Sequence, residues 1–305
     1  MTADPVTTRQ PVPAAQVPAT VRASLSPSRA ADFKTCPLLY RLRSIDRLPE
    51  RTSVEQARGT LVHAVLERLF DLPAADRTPT AAGDLVAPQW DRLVTEEPEL
   101  AELFAEADPQ AAADFLRSAT ELLGGYFAVE DPRRLEPAER EALISAVVDD
   151  ELLIRGYLDR LDVAPDGALR VVDYKTGGAP REAFEARALF QLKFYALVLW
   201  RTRGVVPRVL RLLYLRDAEV CDYTPDAEEL ARFERTVVAL WRAIEQATER
   251  QDFRPRPSRL CDWCSHHAHC PTFGGTPPPF PVGAVSAGPS PDSRSASPVH
   301  PGADE

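Results

Sequence analysis

The chain has 305 residues, 44% of them hydrophobic, which is enough apolar surface for one large domain or two small ones. Its formal net charge of -10 argues against a protein that coats nucleic acid indiscriminately, but leaves room for a local basic groove on an acidic surface. No apolar run is long enough to span a bilayer and the first residues hold no apolar signal core, so a soluble, cytoplasmic protein without a membrane partner is expected.

Residues 1–23 are rich in Pro, Ala, Thr and Gln and are expected to be disordered. Ser26-Pro27 then reads as a helix start leading into Phe33, Leu38, Leu39 and Tyr40, with Cys36-Pro37 as an interruption. Arginines cluster at Arg41, Arg43, Arg47, Arg51 and Arg58, and again at Arg250, Arg254, Arg256 and Arg259. Each taken singly is ordinary surface charge.

Residues 54–71 have helical apolar spacing through Leu61, Val65, Leu66 and Leu69, with His63 and Glu67 sharing a face. A lone helix histidine is ordinarily a surface or core residue, so spacing alone gives His63 no role. Residues 72–135 alternate polar loops with helical patterns near 86–96 and 109–129, and are expected to form a helical insert walling one side of a cleft.

The stretch from Gly156 to Tyr195 carries the chemistry. Asp159 ends an apolar run through Leu152, Leu153, Ile154, Tyr157 and Leu158. Asp166-Gly167 supplies a turn, and Val171-Val172 begins a strand that puts Asp173 and Lys175 on one face. Two carboxylates and an ammonium then converge at one sheet edge, which suits a hard divalent cation with a polarised water beside it. Residues 181–203 read as a long helix, from Phe184 onward, with Gln191 and Tyr195 one turn apart. Strand-like segments at 208–216 and 219–223 and an amphipathic helix at 226–249 follow, and from 274 onward the Pro- and Ser-rich composition predicts a disordered tail. No G-x-x-x-x-G-K-[ST] occurs, so the chain carries no P-loop motor.

Of 36 basic residues only Lys34, Lys175 and Lys193 are lysine. In so arginine-biased a chain a retained lysine suggests a place where only a compact ammonium fits. All three lie next to suspected sites.

The cysteines are Cys36, Cys221, Cys261, Cys264 and Cys270. The last three form C-x2-C-x5-C, which favours metal binding over a disulfide in a cytosolic protein. Cys36 is the better fourth thiolate, because Cys221 sits in a strand pattern and reads as a structural thiol. Zinc held by three cysteines and one of His266, His267 or His269 stands level with an iron–sulfur cluster on spacing alone. Either centre would staple the two ends of the chain together.

Six segments in order resemble a known family: Ser24 and Ser26 leading to Cys36-Pro37; Gly59-Thr60 to His63; Gly156 to Asp162; Val172-Asp173-Tyr174-Lys175-Thr176-Gly177; Gln191 to Tyr195; and the cysteine triplet. The chain resembles the RecB-like exonuclease branch of the PD-(D/E)XK nuclease superfamily, in its iron–sulfur form. The resemblance implies an α/β fold, a restriction-endonuclease-like mixed β-sheet core flanked by helices. The domain would span 24–273, with the helical insert at about 72–135 and an Fe–S-stapled N- and C-terminal subregion, between disordered 1–23 and 274–305. It implies that His63, Asp159, Asp173 and the Tyr174 carbonyl bind Mg2+ or Mn2+. Lys175 would orient the attacking water, and Gln191 and Tyr195 would lie over the site. Cys36, Cys261, Cys264 and Cys270 would hold a [4Fe-4S] cluster, and it is the resemblance that tips the choice from zinc. The expected activity is metal-dependent exonuclease cleavage of DNA, on single-stranded ends, in repair or recombination, with a separate helicase as a candidate partner. The alternative is a non-catalytic iron–sulfur DNA-binding subunit of a helicase–nuclease complex. A zinc-stabilised interaction module would explain the cysteines but leave 156–195 without a purpose.

Overall fold

The computed structural model describes residues 23–105, 109–179 and 185–281. The elements are β1 (Ala23–Leu25), α1 (Pro27–Thr35), α2 (Pro37–Tyr40), α3 (Val54–Leu69), α4 (Pro79–Glu96), α5 (Pro109–Val129), β2 (Glu139–Val148), β3 (Leu152–Val163), β4 (Leu169–Lys175), α6 (Glu185–Arg203), β5 (Val209–Tyr214), β6 (Glu219–Tyr223) and α7 (Ala227–Arg250). The expected disorder of 1–22 and 282–305, and the start of the long helix at Phe184, lie outside the described residues.

Helix starts follow local chemistry. Ser26 Oγ accepts from the Arg29 N–H with Pro27 in the first turn, and Ser53 and Gln56 form a reciprocal capping box on α3. Cys36 is extended (φ -157°, ψ 115°) between α1 and α2, because the following Pro37 disfavours helical backbone in the residue before it.

The sheet is mixed. β3 is its spine, antiparallel to β2 along most of its length. Its other edge is divided: β1 pairs in parallel with Leu152–Ile154, and β4 pairs antiparallel with Arg160–Val163. β5 lies parallel to β4, reached through α6, and β6 closes the sheet antiparallel to β5. The β3–β4 connection turns at Gly167 (φ 82°), where Asp166 caps the Ala168 N–H as the Asp-Gly signal implies.

Both faces of the sheet are covered. On one, Ile154, Leu158, Val171 and Leu212 pack with Phe194 and Leu197 of α6 and Leu230, Val237 and Ile244 of α7. On the other, Val172, Tyr174 and Leu213 pack with Leu61, Val65 and Leu69 of α3, Val86 of α4 and Leu123 of α5. Val171 and Val172 are therefore both fully buried, as in a strand covered on two sides. The insert closes tightly: a Cβ at Gly125 of α5 would lie 1.8 Å from the Leu215 carbonyl oxygen, so only glycine fits there.

β3 runs on past Asp159 to Val163. One expectation changes, since the packed chain continues past 273: Arg41 donates to the Pro278 carbonyl, and Phe280 stacks on Phe253 with centroids 6.1 Å apart. The proline-rich composition hid one aromatic anchor.

Candidate metal and catalytic centre

Strand register builds the centre. The pairs Arg140–Arg160 and Ala142–Leu158 flank Glu141 and set it opposite Asp159. The β3–β4 ladder ends at Arg160–Val172, so Asp159 and Asp173 face each other where the two strands part. Three carboxylates thus stand side by side on three adjacent strands. Asp159 side-chain Oδ2 takes over the missing ladder contact by accepting from the Tyr174 N–H at 2.8 Å.

Alternation breaks at this row. Leu158 packs into the α6-side core, whereas Arg160 points to Phe70 and Tyr174 of the other core. Opposite, Glu141 has a φ of 42°, a left-handed conformation that costs a non-glycine residue ~1–3 kcal/mol. The crease turns both acids toward α3. There His63 Nδ1 lies 3.5 Å from Glu141 Oε1 and 3.5 Å from Asp159 Oδ2, and Nε2 lies 3.0 Å from the Tyr174 carbonyl oxygen. Donor atoms of His63, Glu141 and Asp159 all fall within 4.8 Å of one another, a group that could hold a metal ion.

Like charges side by side repel, and this site shows it. Burial, with Asp173 and Glu141 alongside, pushes the Asp159 carboxyl up against the pull of His63. Burial also opposes a charged His63, yet Asp159, Glu141 and Asp173 overcome it and raise the imidazole to about 9. Asp173 is fully buried, and neither of its oxygens makes an aligned hydrogen bond. Asp173 Oδ1, buried and without a partner among the described residues, fits a hard divalent cation beside a carbonyl and an imidazole.

Lys175 completes the row. Its Nζ is 2.6 Å from Asp173 Oδ2 and donates to Gln191 Oε1 at 3.0 Å. Gln191 Nε2 in turn donates to the Tyr195 hydroxyl at 2.9 Å. Burial and the nearby Asp173 and Asp159 push the Tyr195 phenol well up, so it stays protonated. The Tyr195 ring lies against the stretch of β3 between its β1 and β4 pairings, where Gly156 leaves space for it. The five residues expected to be catalytic are therefore brought together, with His63 and Tyr174.

Behind the row, Tyr174 crosses the sheet. Its hydroxyl accepts from Arg160, which is fully buried and also binds Glu130 at the end of α5 (2.6 and 2.9 Å) and Asp162. A buried guanidinium persists because both carboxylates and the phenol share its charge. The peptide facing the site is held from behind by the helical insert.

Sequence reasoning missed Glu141, which belongs to none of the motifs. The available signal was the Asp149-Asp150 turn, where both residues are left-handed (φ 50° and 58°). Counting back from the Val148–Leu152 pair across it places residue 141 opposite 159.

Of the three lysines, only Lys175 lies in the carboxylate row. Lys193 binds Glu229 of α7 at 2.7 Å and covers the Tyr223 ring, and Lys34 lies 4.1 Å over the Phe190 ring. Both tie helices together through contacts that an arginine could also make.

Cys36, Cys261, Cys264 and Cys270 line a second pocket, of about 60 Å³. Cys221 lies on β6 opposite Leu212 and is not among the lining residues. Cys36 Sγ accepts from the Arg256 N–H, and Arg256 also donates to the Lys34 carbonyl, so residues 34–36 meet residue 256 here. His266 spends Nε2 on Glu50 (2.5 Å), and His267 spends Nε2 on the Cys261 carbonyl (2.7 Å). Burial would raise Glu50, but hydrogen bonds from His266 and Arg43 hold it at about 2.

The pattern of the PD-(D/E)XK nuclease superfamily matches residues 24–271. The chain belongs to that superfamily. This nuclease is 27% identical over 266 residues to the Gene 69 protein of Mycobacterium phage D29, covering 81% of this chain and 96% of that one. It is 29% identical over 127 residues to the Gene 69 protein of Mycobacterium phage L5, covering 41% of each chain. The crystal structure of a "Putative exonuclease" from Eubacterium rectale shares the fold at a TM-score of 0.50 and 11% identity, covering 81% of this chain and 88% of that one. Among the described residues, no helix is long and apolar enough to cross a membrane.

Proposed function

We propose that this nuclease is a divalent-metal-dependent deoxyribonuclease that works as an exonuclease on single-stranded ends, in DNA repair or recombination. The observation that carries the reading is the carboxylate row Glu141, Asp159 and Asp173 with His63 at one end and Lys175 at the other. His63, Asp159, Asp173 and the Tyr174 carbonyl would hold Mg2+ or Mn2+. When bound, such a cation neutralises charge on the scissile phosphate and makes a coordinated water easier to deprotonate.

This chain's own residues do the rest. Lys175, anchored on one side by Asp173 and on the other by Gln191, presents an ammonium that can orient the attacking water and face the developing phosphorane charge. Gln191 and the protonated Tyr195 fix the direction of that ammonium; Gln191, half-buried, is the one a DNA strand over the site would touch, while Tyr195 is buried and supports it from beneath. The four thiolates lining the cysteine pocket would be the donors for a [4Fe-4S] cluster, with two histidine Nε2 atoms already committed to protein acceptors. A helicase in a separate chain would supply the strand.

The test is cleavage of end-labelled single-stranded and duplex DNA by anaerobically purified protein, with Mg2+, Mn2+ or EDTA. Stepwise shortening of the single strand that stops in EDTA is expected. No product with either metal, together with tight DNA binding, would instead establish a non-catalytic DNA-binding subunit.

A further inference from the structure

Glu141 stands in no motif and takes on a backbone penalty to face His63 from near the start of β2. Its only ion pair among the described residues is with His63 Nδ1, at 3.5 Å. Asp159 is equally near Nδ1, but its Oδ2 already accepts the Tyr174 N–H. On the far side of the ring, Nε2 faces the Tyr174 carbonyl oxygen at 3.0 Å. Two oxygen or nitrogen lone pairs so close repel unless a proton or a cation lies between them.

We infer that Glu141 is a positioning residue that accepts Nδ1–H of His63 and so leaves Nε2, beside the Tyr174 carbonyl, as the nitrogen donor to the metal. A histidine that ligates through one nitrogen generally spends the other on a carboxylate or carbonyl, which fixes tautomer and ring angle together. Here the strand crease does this work. A right-handed or extended Glu141 would send its side chain elsewhere along β2, and His63 would lose the partner that selects its tautomer. The inference rests on the metal-dependent reading above, and assigns Glu141 to the histidine rather than to the ion.

The test is Mn2+ binding by calorimetric titration of the full chain without DNA, for wild type, Glu141→Gln and Glu141→Leu, with Glu139→Gln as a control two residues along. A glutamine oxygen still accepts from Nδ1–H, so Glu141→Gln should bind Mn2+ within about threefold of wild type. Glu141→Leu should bind about 10–100-fold more weakly, the usual loss when such an outer partner is removed. Equal, large losses in both variants would make Glu141 a direct ligand, and wild-type affinity in both would make it a bystander; either overturns the inference. If the leucine variant does not fold, the nitrogen-15 shifts of His63 in Mg2+-loaded Glu141→Gln still decide, since protonation on Nε2 overturns it. Wild type that binds no Mn2+ overturns this inference and the metal reading together. Wild type that binds Mn2+ but cleaves no DNA removes only the nuclease reading.

Discussion

Gly156→Ala should disturb the catalytic row from a distance. The added Cβ would sit 2.8 Å from Tyr195 Cε1 and 3.3 Å from Pro27 Cδ. Carbon atoms pack at ~3.5 Å, so the tyrosine ring must retreat by ~0.7 Å or the strand must move. Neither is free, because Tyr195 is buried among Ile154, Leu158 and Phe194. Overpacking of this kind costs ~1–3 kcal/mol, which in a domain of this size lowers the melting temperature by ~2–12 °C. The same displacement stretches the 2.9 Å bond from Gln191 to Tyr195 and, through Gln191, the 3.0 Å bond from Lys175. Because ~1 Å of misplacement can cost ~100-fold, a loss of at least ~10-fold in kcat/KM is expected. The assay is thermal unfolding in EDTA alongside cleavage of a single-stranded oligonucleotide. Adding Tyr195→Leu should restore the melting temperature but not the activity. A Gly156→Ala protein that melts and cleaves like wild type would show that the Tyr195 ring is not seated against β3.

Lys175→Arg keeps the charge, but its wider planar guanidinium cannot fit between Asp173 and Gln191, so cleavage should fall by orders of magnitude while DNA binding stays near wild type. Asp173→Asn should also abolish cleavage, and raised Mn2+ should partly rescue it but not Lys175→Arg; rescue of both would assign the two residues one role. Protein purified without oxygen should contain iron and acid-labile sulfide, which Cys36→Ala should lose and Cys221→Ala should keep; stoichiometric zinc without sulfide would refute the cluster. Glu50 is held below its ordinary value, so it stabilises the fold above pH ~4.5 and that contribution disappears as pH falls toward 2. Glu50→Gln should therefore melt lower than wild type at pH 7, the gap should shrink as pH falls from ~4.5 and close only below about 2, and a gap that stays undiminished from pH 7 down to pH ~2 would contradict the ion-pair account.

Much of the site was legible because chain-local signals happened to coincide with tertiary ones. Asp173 and Lys175 share a strand face by period, Gln191 and Tyr195 share a helix face, and Asp166-Gly167 announces the turn that brings Asp159 beside them. Glu141 was not legible, since its position depends on a register fixed by a distant turn and on a left-handed residue no propensity favours. Arg160 was passed over although it sits inside a recognised motif, because one sequence cannot say that a charged residue is fully buried. Lys34 and Lys193 misled for the opposite reason: rarity in composition says nothing about which neighbours a side chain finds.

The division of β3's edge between β1 and β4 has a consequence for how the protein is born. Residues 23–25 find their strand partner only when Leu152–Ile154 have been made, and Cys36 meets the 256–270 segment only once that segment has been made. At ~10 residues per second, residue 270 leaves the peptidyl-transfer centre about 20 s after residue 36. For that interval α3 to α5 can pack on one another, while the leading segment waits with its apolar side and its thiol uncovered. Truncation between residues 175 and 256 would release chains with a formed insert and an unprotected Cys36, the population on which chaperones and proteases would act.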